Sequence, residues 1–210
     1  MKKFFSILGF AVFVSVVSGN LAHAELEKVM IAGMTGEATL TRGDQTMPAT
    51  IGMECQKDDI LKTGGNCTLD ITVNDIAGCR VLPSSEFAIV DSKMSQMRFK
   101  INNGNAILNL NKLPADSKFE LETPTAVASV RGTQFWGRVD TAILDNPVTT
   151  FAVREGVVEI LAKSIGKSFT LEKGQALDIP KDKSVVPSIR PALEEELAAM
   201  AQADAIKTAA

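Results

Sequence analysis

From Lys28 onwards, apolar and polar residues alternate over short runs separated by turn residues. The clearest run is 67–73, where Leu69, Ile71 and Val73 point one way and Thr68, Asp70 and Thr72 the other. A period of two is the mark of a half-buried strand. The same reading predicts strands at 29–32, 37–41, 49–53, 59–62, 79–82, 87–90, 98–101, 106–110 and 118–121. It predicts further strands at 149–153, 157–161, 169–171 and 176–179. Turn signals fall between them at Arg42-Gly43-Asp44, Gly64-Gly65-Asn66, Asn103-Gly104, Arg154-Glu155-Gly156 and Lys173-Gly174. Asn-Gly between alternating runs predicts a hairpin, and the last two signals read as hairpins too. No helical periodicity interrupts the series. The pattern predicts an all-β single domain of short, mostly sequentially paired strands, solenoid-like or sandwich.

The longest informative segment is 122–137. Pro124 holds Thr123 extended and restarts a strand. Ala126, Ala128 and Val130 then form a face of small residues, suited to a close neighbour. Gly132 interrupts the run, which predicts a bulge or a close backbone approach. Beyond it Thr133, Phe135, Gly137 and Val139 share one face, and Gln134, Trp136, Arg138 and Asp140 the other. Trp136 is the only tryptophan. Tryptophan and arginine carry interface energy more often than other residues. Arg131, Gln134, Trp136 and Arg138 are therefore the candidate interaction residues. The alternative is that Trp136 packs in the core and Arg131 bonds neighbouring carbonyls.

Both ends change character. Lys2, Lys3, an apolar run over 4–18 and Ala22-His23-Ala24 predict a secretory signal over 1–24, cleaved between Ala24 and Glu25. The β domain is then 25–180. Residues 178–190, rich in Lys, Asp, Ser and Pro, read as a linker, and 191–207 as a helix within a 181–210 tail. Pro191 suits a first helical turn, Glu194, Glu195 and Glu196 favour an N-terminal dipole, and Leu193, Leu197 and Met200 make a narrow apolar stripe.

Charge narrows the function. The chain has 22 basic and 25 acidic residues. Losing Lys2 and Lys3 leaves 20 against 25, a balance that disfavours nucleic acid and anionic lipid. His23, the only histidine, leaves with the signal. Nothing then remains to act as base in a Ser-His or Cys-His mechanism, or to complete a mixed Cys/His zinc site. Asp58 with Asp59 and Asp116 with Glu120 read as turn charges rather than hydrolytic pairs, and Asp70 and Asp75 lack the oxygen spacing of a calcium loop. The expectation is a non-enzyme with no cofactor and no metal. An exported chain meets oxidising conditions, so one disulfide is expected among Cys55, Cys67 and Cys79. Cys67–Cys79 is the favoured pair, and three buried thiols the alternative.

Thr-Pro-Thr-Ala-Val-Ala-Ser-Val-Arg-Gly-Thr-Gln-Phe, 123–135, resembles the signature of the FecR domain. Asp59-Ile60-Leu61-Lys62-Thr63-Gly64, Leu82-Pro83-Ser84-Ser85-Glu86-Phe87, Arg154-Glu155-Gly156-Val157-Val158 and Lys173-Gly174-Gln175-Ala176 resemble its other motifs, so the likeness runs from about 28 to 180. The resemblance implies a bacterial periplasmic module and favours the solenoid-like architecture. In FecR-type regulators such a domain relays a signal to a cytoplasmic anti-sigma domain. Here no cytoplasmic segment and no second hydrophobic segment are read, so that relay is not expected. The expectation is a periplasmic or secreted Gram-negative module that binds another envelope protein. The alternative is an envelope structural or glycan-binding protein.

Overall fold

The computed structural model describes residues 28–206 except 75, 112, 114–116, 143, 144 and 205, and for Met94 the backbone only. The segment 1–24 expected to be a signal, with its Ala24–Glu25 junction, lies outside the described residues. Among the described residues there are seventeen strands: β1 Val29–Thr35, β2 Ala38–Arg42, β3 Gln45–Pro48, β4 Glu54–Cys55, β5 Ile60–Thr63, β6 Thr68–Val73, β7 Ala77–Val81, β8 Glu86–Asp91 and β9 Met97–Leu110. They continue with β10 Phe119–Glu122, β11 Ala126–Val130, β12 Gln134–Asp140, β13 Val148–Glu155, β14 Val157–Ala162, β15 Lys167–Glu172, β16 Gln175–Pro180 and β17 Ile189–Pro191. One helix follows, α1 Glu194–Ala201.

The strands form two layers. The front layer runs β4, β1, β6, β7, the second half of β9, β12, β13, β16, β17. The back layer runs β3, β2, β5, β8, the first half of β9, β10, β11, β14, β15. Only β9 and β10 pair in parallel. Strand order in each layer follows chain order almost throughout, so the fold is at once a sandwich and a stack that grows along one axis.

Alternation explains the layers. Each strand turns one set of side chains into a shared core and the other to the outside. Phe87, Phe99 and Phe119 meet edge to face, with ring centroids 5.3 Å apart in each pair, and Phe135 and Phe151 lie 6.5 Å apart in the opposite layer. At Gly137 a methyl group would stand 3.0 Å from Leu121 of the back layer and 3.2 Å from Phe151. The layers press together there, which is why the position carries no side chain. The small face of β11 is buried as expected, at Ala126, Ala128 and Val130. Before it, the hydroxyls of Thr123, Thr125 and Thr149 form a buried chain of 2.9 and 2.6 Å bonds, and Thr123 Oγ1 also accepts from the Ala126 amide at 3.0 Å. Threonines on both sides of Pro124 thus satisfy a turn that is shut off from water.

Four glycine signals do different work from that expected. Asn103-Gly104 is not a hairpin: β9 runs unbroken through it and passes from the back layer to the front. Gly104 has φ 87°, and a Cβ there would lie 2.3 Å from Ser85 Oγ. Gly132, φ 136°, is not a bulge within one strand but the corner between β11 of the back layer and β12 of the front. β13 and β14 do not pair across Gly156, nor β15 and β16 across Gly174; each glycine marks a change of layer. Elsewhere, strand 49–53 is absent and β3 lies just before it.

Cys67 and Cys79 form no disulfide, and all three cysteines are free and buried. The register explains why. Cys79 stands opposite Ile71, four residues along from Cys67. That is about 13 Å of strand, against a disulfide reach of about 7 Å between Cα atoms. Burial raises the pKa of every thiol, to about 12 at Cys55, so they behave as small hydrophobes.

Candidate functional site

The alternation of β12 places Phe135 and Val139 in the core and Gln134, Trp136 and Arg138 on the outer side of the front layer. Pairing then aligns residues sideways. One row crosses the layer: Arg80 opposite Ile107, Ile107 opposite Trp136, Trp136 opposite Ala152, Ala152 opposite Ala176, Ala176 opposite Arg190. The row spans five strand spacings, about 24 Å. Its ends are guanidinium groups and its middle is apolar.

The C-terminal segment lies on this row. Met200, Ala203 and Ile206 pack against Ile107, Trp136, Ala152 and Ala176, with Leu82, Ala192 and Leu197 at the edge. Small residues make room: a Cβ at Gly78 would fall 2.8 Å from Ile206. The helix is shorter than expected. Pro191 belongs to β17, paired with Gln175, and α1 begins at Glu194. Leu193 is half exposed, so the contact stripe is Leu197, Met200, Ala203 and Ile206.

Arginines from three strands hold the segment. Arg190 reaches Glu196 at 2.7 and 3.0 Å and Asp178 at 2.7 and 3.2 Å. Buried Glu196 also accepts from the Leu193 amide at 2.7 Å, closing the first turn. Arg154 donates to Asp204 at 2.6 Å and to Gln134 Oε1 at 3.1 Å, and Gln134 Nε2 donates to Asp204 at 2.8 Å. Arg80, fixed by Asp70 at 2.7 and 2.8 Å, donates to the Gln202 carbonyl beyond the helix end, where a cation suits the dipole. These bonds set the charges. Arg154 and Gln134 hold the Asp204 carboxyl below the usual aspartate range. At Asp178 burial pushes upward, but Arg190 and Thr150 outweigh it and the net shift is down.

Trp136 is 7% exposed, yet it lies under the tail rather than between the layers. Its indole Nε1 is buried with no hydrogen-bond partner among the described residues. Beside it is a cavity of about 380 Å³ lined by Trp136, Arg138, Thr150, Arg190, Leu193, Glu195 and Glu196. Arg138 is exposed and pairs with Asp140 at 3.2 Å. Arg131 stands apart, exposed at the layer-changing corner; its carbonyl accepts from the Leu113 amide at 3.2 Å. Three of the four candidate residues thus share one outer surface, and the fourth does not. Arg80, Arg154 and Arg190 escaped the sequence reading. Each points out of the front layer, which is a signal, but the carboxylates and carbonyls they meet lie up to 122 positions away.

Of the acidic residues considered for chemistry, Asp59, Asp70 and Glu120 are occupied. Asp59 is fully buried and bound by Arg42 at 2.8 and 2.6 Å and by the Gln56 amide at 2.7 Å. This also ties the Arg-Gly-Asp turn at 42–44 into the fold. Glu120 pairs with Arg98 and Lys118, and Asp70 with Arg80. Asp75 and Asp116 lie outside the described residues. Among the described residues no group of three or more His, Cys, Asp or Glu is placed to hold a metal.

Residues 59–159, from the start of β5 into β14, match the model of the FecR protein family. Over those residues the chain is similar to the FecR domain. The matched region spans both layers, and the floor residues Ile107, Trp136 and Ala152 lie inside it. Ala176, Arg190 and the tail lie outside it. Two crystal structures of a candidate anti-sigma factor from Parabacteroides distasonis share the fold, each with a TM-score of 0.57 at 13% identity. Each superposition covers 68% of this chain and 64% of the Parabacteroides chain, so this chain spans less than two thirds of that relative. No curated protein matches the chain in sequence.

Proposed function

We propose that the protein is a non-catalytic, exported FecR-domain module that binds another protein of the cell envelope and serves a sensing or signalling role there. One observation carries the reading: an apolar row with arginines at its rim, on a rigid β layer, holds a helical segment almost wholly through side chains. Flat apolar floors with charged rims suit protein recognition. The FecR domain and a fold shared with a candidate anti-sigma factor support a regulatory role. The basic start and apolar run of 1–24 support export to the periplasm.

The test is fractionation of the expressing cell, followed by photocrosslinking from a probe at exposed Arg138. The expected result is a periplasmic protein with one dominant protein adduct. A cytosolic chain, or one retained on peptidoglycan without any adduct, rejects the proposal. The second outcome would favour glycan binding. That reading lacks a specific observation, since the exposed large apolar residues among those described are Ile51, Val157, Leu161, Val185, Val186, Ile189 and Leu193 and include no aromatic platform.

A further inference from the structure

We infer that the tail on the front layer is a displaceable stand-in, and that the partner presents an acidic amphipathic helix which replaces it. This rests on the binding role proposed above and adds the surface, the chemistry of the partner and a masked state.

Four observations point the same way. The floor, Gly78, Ile107, Trp136, Ala152 and Ala176, is flat and apolar because three of its five side chains are hydrogen or methyl. A layer intended only to be capped has no need of three arginines arranged around that floor, each aimed at a carboxylate or carbonyl of the tail. The tail fills the surface incompletely. The Trp136 Nε1 donor is buried and has no acceptor among the described residues, a state less favourable than a satisfied one. Beside that donor is the 380 Å³ cavity, at the end where α1 begins. A longer helix would extend into the cavity and bring an acceptor to the indole. Finally, the tail's own hold is modest. Its buried apolar contacts are Met200, Ala203 and Ile206, its one buried ion pair is Glu196 with Arg190, α1 has eight residues, and Asp204 is half exposed, so its pair with Arg154 is screened by water.

The partner's chemistry follows from the surface. Its helix needs an acidic residue for Arg190, another about two turns later for Arg154, and apolar residues between them at helical spacing for the Trp136 row. Glu196, Met200, Ala203 and Asp204 display that pattern in the tail. Masking lowers apparent affinity by the fraction of molecules whose surface is open.

The test uses the purified protein and a fluorescent peptide of residues 192–206 as the acidic helix. Gly78→Cys with Ile206→Cys provides a lock: a Cβ on residue 78 would lie 3.4 Å from Ile206 Cβ, close to the separation of a disulfide. Reduced, this protein should bind the peptide; oxidised, it should bind at least tenfold more weakly, and reductant should restore binding. Ile206→Ser, which loosens the tail without touching either layer, should bind at least tenfold tighter than the natural sequence. A peptide with Glu196→Lys and Asp204→Lys should not bind.

Equal binding by oxidised and reduced protein overturns the inference, because the peptide then sits elsewhere. So does an Ile206→Ser protein whose tail exchanges its amide hydrogens freely but which captures no peptide. Reduced protein that assembles into dimers and ignores the peptide overturns it too, and assigns the surface to the tail of a second copy. None of these outcomes would undo a crosslink from Arg138 to an envelope protein, so displacement and binding fail separately.

Discussion

The two outer surfaces of the stack make opposite use of the same ingredients. On the front layer arginines look outward to a segment arriving from far along the chain. Arg190 joins Asp178 of a neighbouring strand to Glu196 of the tail, and Arg154 bridges to Asp204. On the back layer the charges look sideways. Arg98 and Lys118 neutralise Glu120, Lys62 meets Glu86 at 2.9 Å, and Lys163 meets Glu122 at 2.7 Å, all between neighbouring segments of that layer. The back surface keeps Val157 and Leu161 half exposed beside a groove of about 660 Å³ and has no covering element among the described residues. Charges paired within a layer smooth a surface. Charges directed out of it demand an occupant.

Trp136→Ala should test this contrast most severely. It removes the central floor residue beneath the tail and should cost about 3–5 kcal/mol, read as a lower denaturant midpoint together with loss of amide protection over 194–206. Glu196→Ala comes next. It strands Arg190 and opens the first turn of α1, and a partner lost from a buried pair costs about 3–5 kcal/mol at most. Because Asp178 still holds Arg190, the expected loss is about 2 kcal/mol, confined by hydrogen exchange to the tail and β17. If the tail stays protected, the arginine rim is decoration and the contrast between the surfaces fails.

The corresponding change on the back layer, Arg98→Ala, leaves Glu120 with Lys118 and should cost about 1 kcal/mol or less by chemical denaturation. Lys62→Ala, an exposed partner of Glu86, should cost no more than about 0.5 kcal/mol. A larger loss at either site would make the back layer as dependent on its charges as the front.

Acidity should separate the surfaces last and least. Asp204 and Asp178 titrate below their ordinary 3.8 in the folded protein. Carboxyls depressed in this way contribute stability that is fully present above the unfolded value and fades as pH falls through the folded one. The tail should therefore stay docked from neutrality down to about pH 4 and come off only below the ordinary aspartate range, as followed by Trp136 fluorescence. Release near pH 6 would contradict the ion-pair account.

Much of the fold was legible in the alternation. The run at 67–73 became β6, the small face at 126–130 became β11, and the division of β12 into Phe135 and Val139 inside, Gln134, Trp136 and Arg138 outside, follows directly from its period of two. The meaning of the glycines was not legible. Asn103-Gly104 has the residues of a hairpin turn, but the same positive φ serves equally to carry β9 around a corner. What decided between them was Ser85, 19 positions earlier, pressed against the glycine. The cysteines failed for a related reason. Both lie on buried faces, as read, but burial says nothing about distance, and the β6–β7 register holds them four residues out of step.

The candidate site divides in the same way. Local pattern brought Gln134, Trp136 and Arg138 to one surface, because residues two apart on a strand share a face whatever the rest of the molecule does. The all-β class is also a property of the chain read by itself. The alignment of Arg80, Ile107, Trp136, Ala152, Ala176 and Arg190 belongs to tertiary structure alone. It depends on the registers of five strand pairs, each set by core packing on the opposite side of the layer. The tail's place over Trp136 is decided there too, since no residue near the tryptophan in sequence carries a trace of a helix that arrives some sixty positions later.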